Sequence, residues 1–290
     1  MKCPKCESLD VKKNGFNYLQ SHSVQKYKCL SCKKIFSYGD RLPNNHLSSE
    51  IVSKCFDLYF QGLSYRLIKR HLLENYKIKV SHVAIYGWIQ SYTALMKKYV
   101  DSLKPNLSAV WQMDETFITF KGKRQGLQQA RSDGYYCWVA IDTGTRFILD
   151  MHLGLDKSLD EGIAFFERIR QAIKDEPDVV ATDGNVTYQT CLKRYYPSAT
   201  HVKLRQISLE PNTSFIERYN GTIKNRTKTM RCFEGFYPCQ STLTSWQIYY
   251  NFLRPHMALN GKTPAQEAGI NVEFSERWAT LIRNALFFSG

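Results

Sequence analysis

Val110-Trp111-Gln112-Met113-Asp114-Glu115-Thr116-Phe117-Ile118-Thr119-Phe120 is the stretch on which the fold turns. Its β-branched and aromatic residues read as a strand, with two acids set inside it. Gly134–Asp142 (GYYCWVAID) reads as a second strand, Thr143-Gly144 as a turn, and 145–153 (TRFILDMHL) as a third. Three successive strands over short connections form an antiparallel meander. Helical spacing follows over 158–174, then a short apolar strand over Val179–Thr182 and a helix over 188–195. A short strand over 201–204 and a long helix over 213–229 complete the series. The order βββαβαβα is that of an α/β core.

Three acids fall at informative places in this order. Asp114 lies inside the first strand, Asp183 ends the fourth, and Glu217 rides on the last helix, with 33 residues between the second and third acids. Hard divalent cations such as Mg²⁺ take oxygen ligands and keep waters or substrate phosphates as the others. Three convergent carboxylates can hold two such ions, which activate an attacking oxygen and stabilise a leaving one at phosphorus. Each acid also has a plainer reading. Asp114 would be a strand-edge charge, with Glu115 on the opposite face of the sheet. Asp183-Gly184 is a common turn dipeptide, and Ser214-Phe215-Ile216-Glu217 fits a capping box. The last helix favours the functional reading. Glu217, Asn220, Gly221, Lys224 and Lys228 share one face by their spacing, and Lys224 stands two turns beyond the carboxylate, placed to meet a DNA phosphate. Arg218, Arg226 and Arg231 extend the basic surface.

The 290-residue chain carries 40 Lys and Arg against 26 Asp and Glu, a net charge of +14. Residues 1–104 hold 18 basic and 7 acidic residues, so the surplus is concentrated in the first third. Such an excess points to a polyanionic partner, usually nucleic acid. No apolar run approaches the roughly 18 residues of a membrane span, and the start, Met1-Lys2-Cys3-Pro4, lacks an apolar signal core. The expected compartment is reducing, which favours metal binding by cysteines over disulfides.

Cys3-x-x-Cys6 and Cys29-x-x-Cys32 have the spacing of a four-thiolate zinc site. Lysines 5, 28, 33 and 34 flank the two knuckles and favour the thiolate form. A segment of about 40 residues has too little apolar core to fold alone, so a metal would serve as its core. His22 is a competing ligand type on a loop, and Cys55, Cys137, Cys191, Cys232 and Cys239 show no paired spacing. After the breaker Pro43-Asn44-Asn45, helices are expected over 49–60, over 64–76, and from the cap Ser81 onward. Three short basic helices fit a helix-turn-helix whose third helix carries His82, Tyr86 and Gln90 toward a DNA groove. A helical bundle for packing or dimerisation fits the same pattern.

Taken together, the segments Trp111–Thr116, Ala181-Thr182-Asp183-Gly184 and Phe215–Lys224 resemble those of DDE-type transposases of prokaryotic insertion sequences, within the RNase H-like superfamily that includes retroviral integrases. Tyr250-Asn251-Phe252-Leu253-Arg254-Pro255-His256 and Leu259–Ala265 are similar to the C-terminal end of such catalytic domains. Met113-Asp114-Glu115-Thr116, and a lysine seven residues after Glu217, are most similar to the insertion-sequence-six family. The resemblance implies a multidomain α/β protein: a zinc ribbon over 1–40, a helix-turn-helix over 44–104, an RNase H-like core with a mixed five-stranded sheet over 108–270, and a helical tail over 271–290. That amphipathic tail, with Phe274, Trp278, Leu281, Ile282, Leu286 and Phe287, would pack on the catalytic domain or on another subunit.

The same resemblance implies that Asp114, Asp183 and Glu217 bind two Mg²⁺ ions, with Mn²⁺ as substitute, beside a structural Zn²⁺ on the four N-terminal cysteines. It further implies cleavage at terminal inverted repeats, transfer of the 3′-hydroxyls to target DNA, copy-type movement with cointegrate products, a homodimer or larger assembly, and a cytoplasmic, nucleoid-associated location. A zinc-dependent DNA-binding regulator that retains the fold without its chemistry is the alternative, and a nuclease that cuts without joining is another.

Overall fold

The computed structural model describes Cys3, Cys6, 8–18, 23–37, 47–120, 134–203, 215–230, Phe233, 235–270 and 277–288. Two compact units emerge: 1–61 with 65–100 and 273–290, and 62–64 with 101–272.

The first unit opens with a three-stranded antiparallel sheet, β1 (Val11–Tyr18), β2 (Ser23–Cys29) and β3 (Ile35–Ser37), in the order β1-β2-β3. Three helices follow, α1 (Ser49–Phe60), α2 (Tyr65–Tyr76) and α3 (His82–Val100). Ser48 caps α1 by accepting from the Ile51 amide, and Ser81 caps α3 by accepting from the Ala84 amide at 3.0 Å. Ile51, Val52, Cys55, Phe56, Tyr59 and Phe60 of α1 are buried, as are Ile85, Ile89, Tyr92 and Met96 of α3.

The C-terminal helix, here α9 (Arg277–Phe288), belongs to this same unit rather than to the second. Trp278 is fully buried, its ring 4.7 Å from Phe56 and 5.1 Å from Phe60, and its indole N–H donates to Asp57 at 3.0 Å. Arg283 donates to the Ser49 hydroxyl at 2.7 Å. The sequence shows that this helix has an apolar face but not which surface covers it. Trp278→Ala is expected to cost the helical unit about 3–5 kcal/mol, the usual range for emptying a buried aromatic site. An unchanged denaturant midpoint for α1 and α3, followed by hydrogen exchange, would show that α9 does not complete this core.

The second unit is built on β4 (Val110–Thr119), β5 (Gly134–Asp142), β6 (Ile148–Gly154), β7 (Val179–Thr182) and β8 (Thr200–Lys203). Their order is β6-β5-β4-β7-β8; the meander β4-β5-β6 is antiparallel and β7 and β8 run parallel to β4. Helices α4 (Leu159–Ala172), α5 (Val186–Tyr195), α6 (Phe215–Thr229) and α7 (Phe236–Ile248) flank the sheet. Strand alternation explains the two layers. Cys137, Val139 and Ile141 of β5 pack with Ile216, Tyr219, Ile223, Cys239 and Leu243 from α6 and α7. Trp138, between them, meets Phe165 of α4 and Tyr188 of α5 on the other face. This is the mixed five-stranded, RNase H-like architecture that the resemblance implied.

Several boundaries differ by a residue or more from the sequence reading, and two of them have a visible cause. The third strand starts at Ile148 rather than at 145, because the Asp142 carboxylate accepts from the Thr145 amide and hydroxyl and draws that segment into a turn. Helix α5 starts at Val186 rather than at 188, because the Asn185 side chain accepts from the Thr187 amide and caps it. A short π-helical turn, Tyr249–Leu253, extends α7, and α8 (Pro264–Glu267) follows with a capping box from Thr263 and Gln266. Strand β6 lies at the edge of the sheet, and its backbone is met by side-chain amides. Asn251 accepts from the Ile148 amide at 2.8 Å and donates to its carbonyl at 2.9 Å; Gln247 donates to the Ile148 and Leu149 carbonyls, and Gln240 accepts from the Leu153 amide.

Candidate functional site

Parallel β4 and β7 pair only through Gln112 and Ala181, and β7 ends at Thr182. At Asp114 and Glu115 no described strand pairs with β4 on the β7 side, which leaves that flank open among the described residues, and Asp183 follows β7 directly. Gly184, with φ +90°, turns the chain there in a conformation that favours glycine, and the Asn185 amide donates to Asp183 at 2.9 Å before α5 begins. The start of α5 places the positive end of a helix dipole beside these carboxylates.

Carboxylate oxygens of Asp114, Glu115 and Asp183 lie within 4.8 Å of one another. Asp114 faces α6, where Asn220 donates to it at 2.8 Å. Glu115 faces the α5 side: Asn185 donates to it at 3.5 Å and the Lys157 ammonium lies 3.6 Å away. The alternation expected of a strand is therefore kept, yet the open flank lets Glu115 reach the same cluster. Burial raises the Asp114 carboxyl above its ordinary value, and the charge of Asp183 adds to that. Burial pushes Glu115 up to about 7 against the pull of Lys157, with Asp183 and Asp114 adding to the rise. Raised carboxyl values in a crowded, oxygen-only cluster mark negative charge that a divalent cation would neutralise. The donor set fits such an ion.

Glu217 lies in the first turn of α6 and is exposed. It is outside the tight cluster of three, but it sits one helical turn before Asn220, so its helix is the one bonded to Asp114. The capping residue Ser214 lies outside the described residues, as does Arg231. Lys224, Lys228 and Arg218 are exposed on α6. Arg226 departs from the expectation of a surface cation: it is 8% exposed, and its guanidinium donates to the Gly62 carbonyl at 2.7 Å. A helix face inferred from spacing alone does not reveal such a local partner. On α3, Tyr86 is exposed and meets Tyr65 edge-on at 5.6 Å, while His82 and Gln90 are half-buried. Sequence reasoning set Glu115 aside as facing away and gave Lys157 and Asn185 no role; the strand's broken pairing, invisible in the pattern, brings them in.

In the first unit, the sulfurs of Cys3, Cys6, Cys29 and Cys32 lie within 4.8 Å of one another, with Cys3 to Cys32 at 3.5 Å and Cys6 to Cys29 at 3.6 Å. Four thiolates at about 2.3 Å around a tetrahedral ion stand about 3.8 Å apart, so the cluster fits Zn²⁺. The backbone N–H of Cys32 pulls the Cys29 thiol down to about 6. Cys6, despite a backbone hydrogen bond at Ser8, is pushed up to about 12 by burial and the three neighbouring thiols. Cys55, Cys137, Cys191 and Cys239 are buried free thiols, and His22 and Cys232 lie outside the described residues.

A family model for a DDE domain matches residues 108–256. The transposase of insertion sequence element IS257 in transposon Tn4003 of Staphylococcus aureus is 26% identical over 221 residues, covering 70% of this chain and 90% of that protein. The transposase of the insertion sequence-like element IS431mec of Staphylococcus aureus strain Mu50 is 25% identical over 205 residues, covering 64% and 83%. Among solved structures, the catalytic core domain of HTLV-2 integrase aligns with 57% of this chain and 98% of its own at 21% identity and a TM-score of 0.38. Among the described residues no helix is long and apolar enough to cross a membrane. The match over 108–256 covers the strands and helices that carry Asp114, Glu115, Asp183 and Asn220, and on it this chain belongs to the DDE-domain family of insertion-sequence transposases, in the insertion-sequence-six group.

Proposed function

We propose that this protein binds the terminal inverted repeats of an insertion sequence and carries out DNA strand cleavage and strand transfer at the Asp114–Asp183 cluster. The convergence of carboxylate oxygens from Asp114, Glu115 and Asp183 at one end of the sheet carries this reading. Asp114 and Asp183 would hold Mg²⁺, or Mn²⁺ in its place, and Glu217 would complete the set from α6. The ions supply an activated attacking oxygen and a stabilised leaving oxygen. In the first reaction water attacks a phosphodiester at the element end, the P–O3′ bond breaks, and the 3′-oxygen leaves as a hydroxyl. In the second that hydroxyl attacks a target phosphodiester, a new P–O3′ bond forms, and the target strand's own 3′-hydroxyl is released. No covalent protein–DNA bond is needed.

Within this reaction Asn220 is a positioning residue. Its amide donates to one Asp114 oxygen and so holds that carboxylate in place. Asn220→Ala is expected to lower strand cleavage about 10–100-fold, the usual cost of removing a group that orients a metal ligand. The Mg²⁺ concentration for half-maximal rate should rise with it; an unchanged Mg²⁺ requirement would remove Asn220 from the site.

The four N-terminal cysteines would hold Zn²⁺ and fold a ribbon that helps to read the DNA. His82, Tyr86 and Gln90 on α3 would face a groove, and Lys224, Lys228 and Arg218 would meet phosphates. Double-stranded DNA is then the partner, and pairing of two ends requires a homodimer or larger assembly in the cytoplasm, at the nucleoid. The products would be cointegrates from copy-type movement. The test is movement of the gene with its own flanking DNA onto a target plasmid, read by sequencing the junctions. Fused replicons support the copy-type reading; simple insertions replace it with a cut-type one. Binding to the ends with no junctions supports the regulator instead.

A further inference from the structure

Arg254-Pro255-His256 has no part in the acid cluster, yet it lines a second cavity of the same unit, of about 140 Å³. Arg146, Arg218, Arg254 and His256 face this cavity together with Tyr250 and Thr222, and among the described residues no carboxylate does. Each cation is held by a separate device. The Asp142 carboxylate is saturated by the Ser108 amide and hydroxyl and the Thr145 amide and hydroxyl, at 2.5–3.0 Å. That turn keeps Arg146 at φ 64°, a left-handed conformation that few non-glycine residues adopt. Its guanidinium lies over the Phe215 ring at 3.1 Å. On the opposite wall, the π-helical turn is pinned when Asn251 bonds both backbone groups of Ile148. Arg254 and His256 follow directly. His256 stands edge-on to Tyr250 at 4.5 Å, and Arg254 lies 5.9 Å from the same ring.

Two buried nitrogens in this cavity, Arg146 Nη1 and His256 Nε2, have no hydrogen-bond partner among the described residues. Neither Arg146 nor Arg254 forms an ion pair there among the described residues. Burial lowers Arg146, and the charge of Arg218 lowers it further; burial brings His256 down to about 4, with Arg254 next in weight. The buried Arg146 Nη1 donor without an acceptor costs free energy and the like charges of Arg146 and Arg218 repel; an anion would relieve both and favour protonation of the His256 ring. Planar guanidinium forks converging on one small space match the geometry of a phosphate group.

We propose that Arg146, Arg218, Arg254 and His256 form a seat for one backbone phosphodiester of the DNA substrate, separate from the phosphate that undergoes reaction. The proposal rests on the reading of this chain as a DNA-processing enzyme. DNA is favoured over a free anion by placement. Arg218 and Thr222, which line the seat, share α6 with Asn220, which bonds Asp114. Arg218 and Thr222 lie on the opposite flank of α6 from Asn220, with Glu217 and Gly221 on the solvent side between them, so a strand crossing that side meets both places.

The experiment measures binding in full-length protein carrying Asp183→Asn, so that no chemistry intervenes. Duplexes of the gene's own flanking end each carry a single neutral methylphosphonate at a different position. One position is expected to weaken binding about tenfold, the size of one charge-assisted contact. In protein that also carries Arg254→Gln the same position should make no difference, and Arg254→Lys should restore part of it. Thermal melting checks that each variant is folded, and His256→Gln replaces Arg254→Gln if that variant does not fold. Equal sensitivity at every position in parent and variant overturns the proposal. So does stabilisation of the parent alone by millimolar inorganic phosphate without any such position in the DNA, which makes the cavity a small-anion site. Strand joining by the wild-type protein is scored separately. Joining without this coupling removes the seat and spares the transposase reading, whereas coupling without joining does the reverse.

Discussion

Asp183→Asn protein is expected to lose strand cleavage and strand joining by about a thousandfold or more while its affinity for DNA ends stays within about twofold of wild type. The magnitude follows from removing one preorganised charge-stabilising group from the reacting site. The separation of the two effects follows from the structure. Asp183 stands past the last paired residue of β7 and accepts a hydrogen bond from the Asn185 amide, which an asparagine oxygen can still accept. The substitution therefore removes a negative charge from the cluster without taking a strand out of the sheet. Replacing a charge beside Asp114 and Glu115 also relieves repulsion between them, so the variant should fold at least as well. Gel assays of nicked and joined products give the first quantity and equilibrium binding the second. Joining that survives in this variant would place the reaction elsewhere in the chain.

The other large effect is expected at the N-terminus. Cys29→Ser should leave the protein without its zinc and leave β1, β2 and β3 without hydrogen-exchange protection, while β4 to β8 keep theirs. Structural zinc contributes about 10–16 kcal/mol of binding free energy at neutral pH, nearly all of it felt as folding free energy. Cys29 is buried, and its sulfur both faces Cys6 and accepts from the Cys32 amide. A serine hydroxyl there stays protonated and is a hard, weak ligand for an ion that favours thiolates. Binding to the element ends should fall with the loss of the ribbon. Zinc stoichiometry by elemental analysis that matches wild type would mean that the four sulfurs are not its ligands.

The strand and helix order of the catalytic unit was legible because each strand is written in β-branched and aromatic residues and each helix has an apolar stripe. What was not legible depended on single side chains acting on the backbone. Asp142 shortens β6 by collecting hydrogen bonds from Thr145, and periodicity carries no trace of that. Glu115 was sorted by strand alternation to the far face, correctly, but the point at which β7 stops pairing with β4 decides what it can reach. The destination of α9 is a related case: amphipathicity states that a face is covered, while Trp278 against Phe56 and Phe60 states by what. Of the acids, Asp114 and Asp183 meet as their positions in the strand order imply. Glu217 is brought to the same helix face as Asn220 without entering the cluster, which is the limit of what spacing along one helix can fix. Arg226 shows the same limit from the other side, since it is buried against a carbonyl while its helix neighbours remain exposed.

Side-chain amides from Gln240, Gln247 and Asn251 along β6 have a consequence for how copies of this chain can associate. An edge strand with unengaged amides and carbonyls invites strand addition from another molecule, whether as a continuous intermolecular sheet or as an aggregate. Here the invitation is withdrawn locally, by glutamine and asparagine side chains that imitate the next strand. The opposite edge, β8, is only four residues long. Among the described residues, neither border of the five-stranded sheet offers a long unengaged template for adding a strand from another copy.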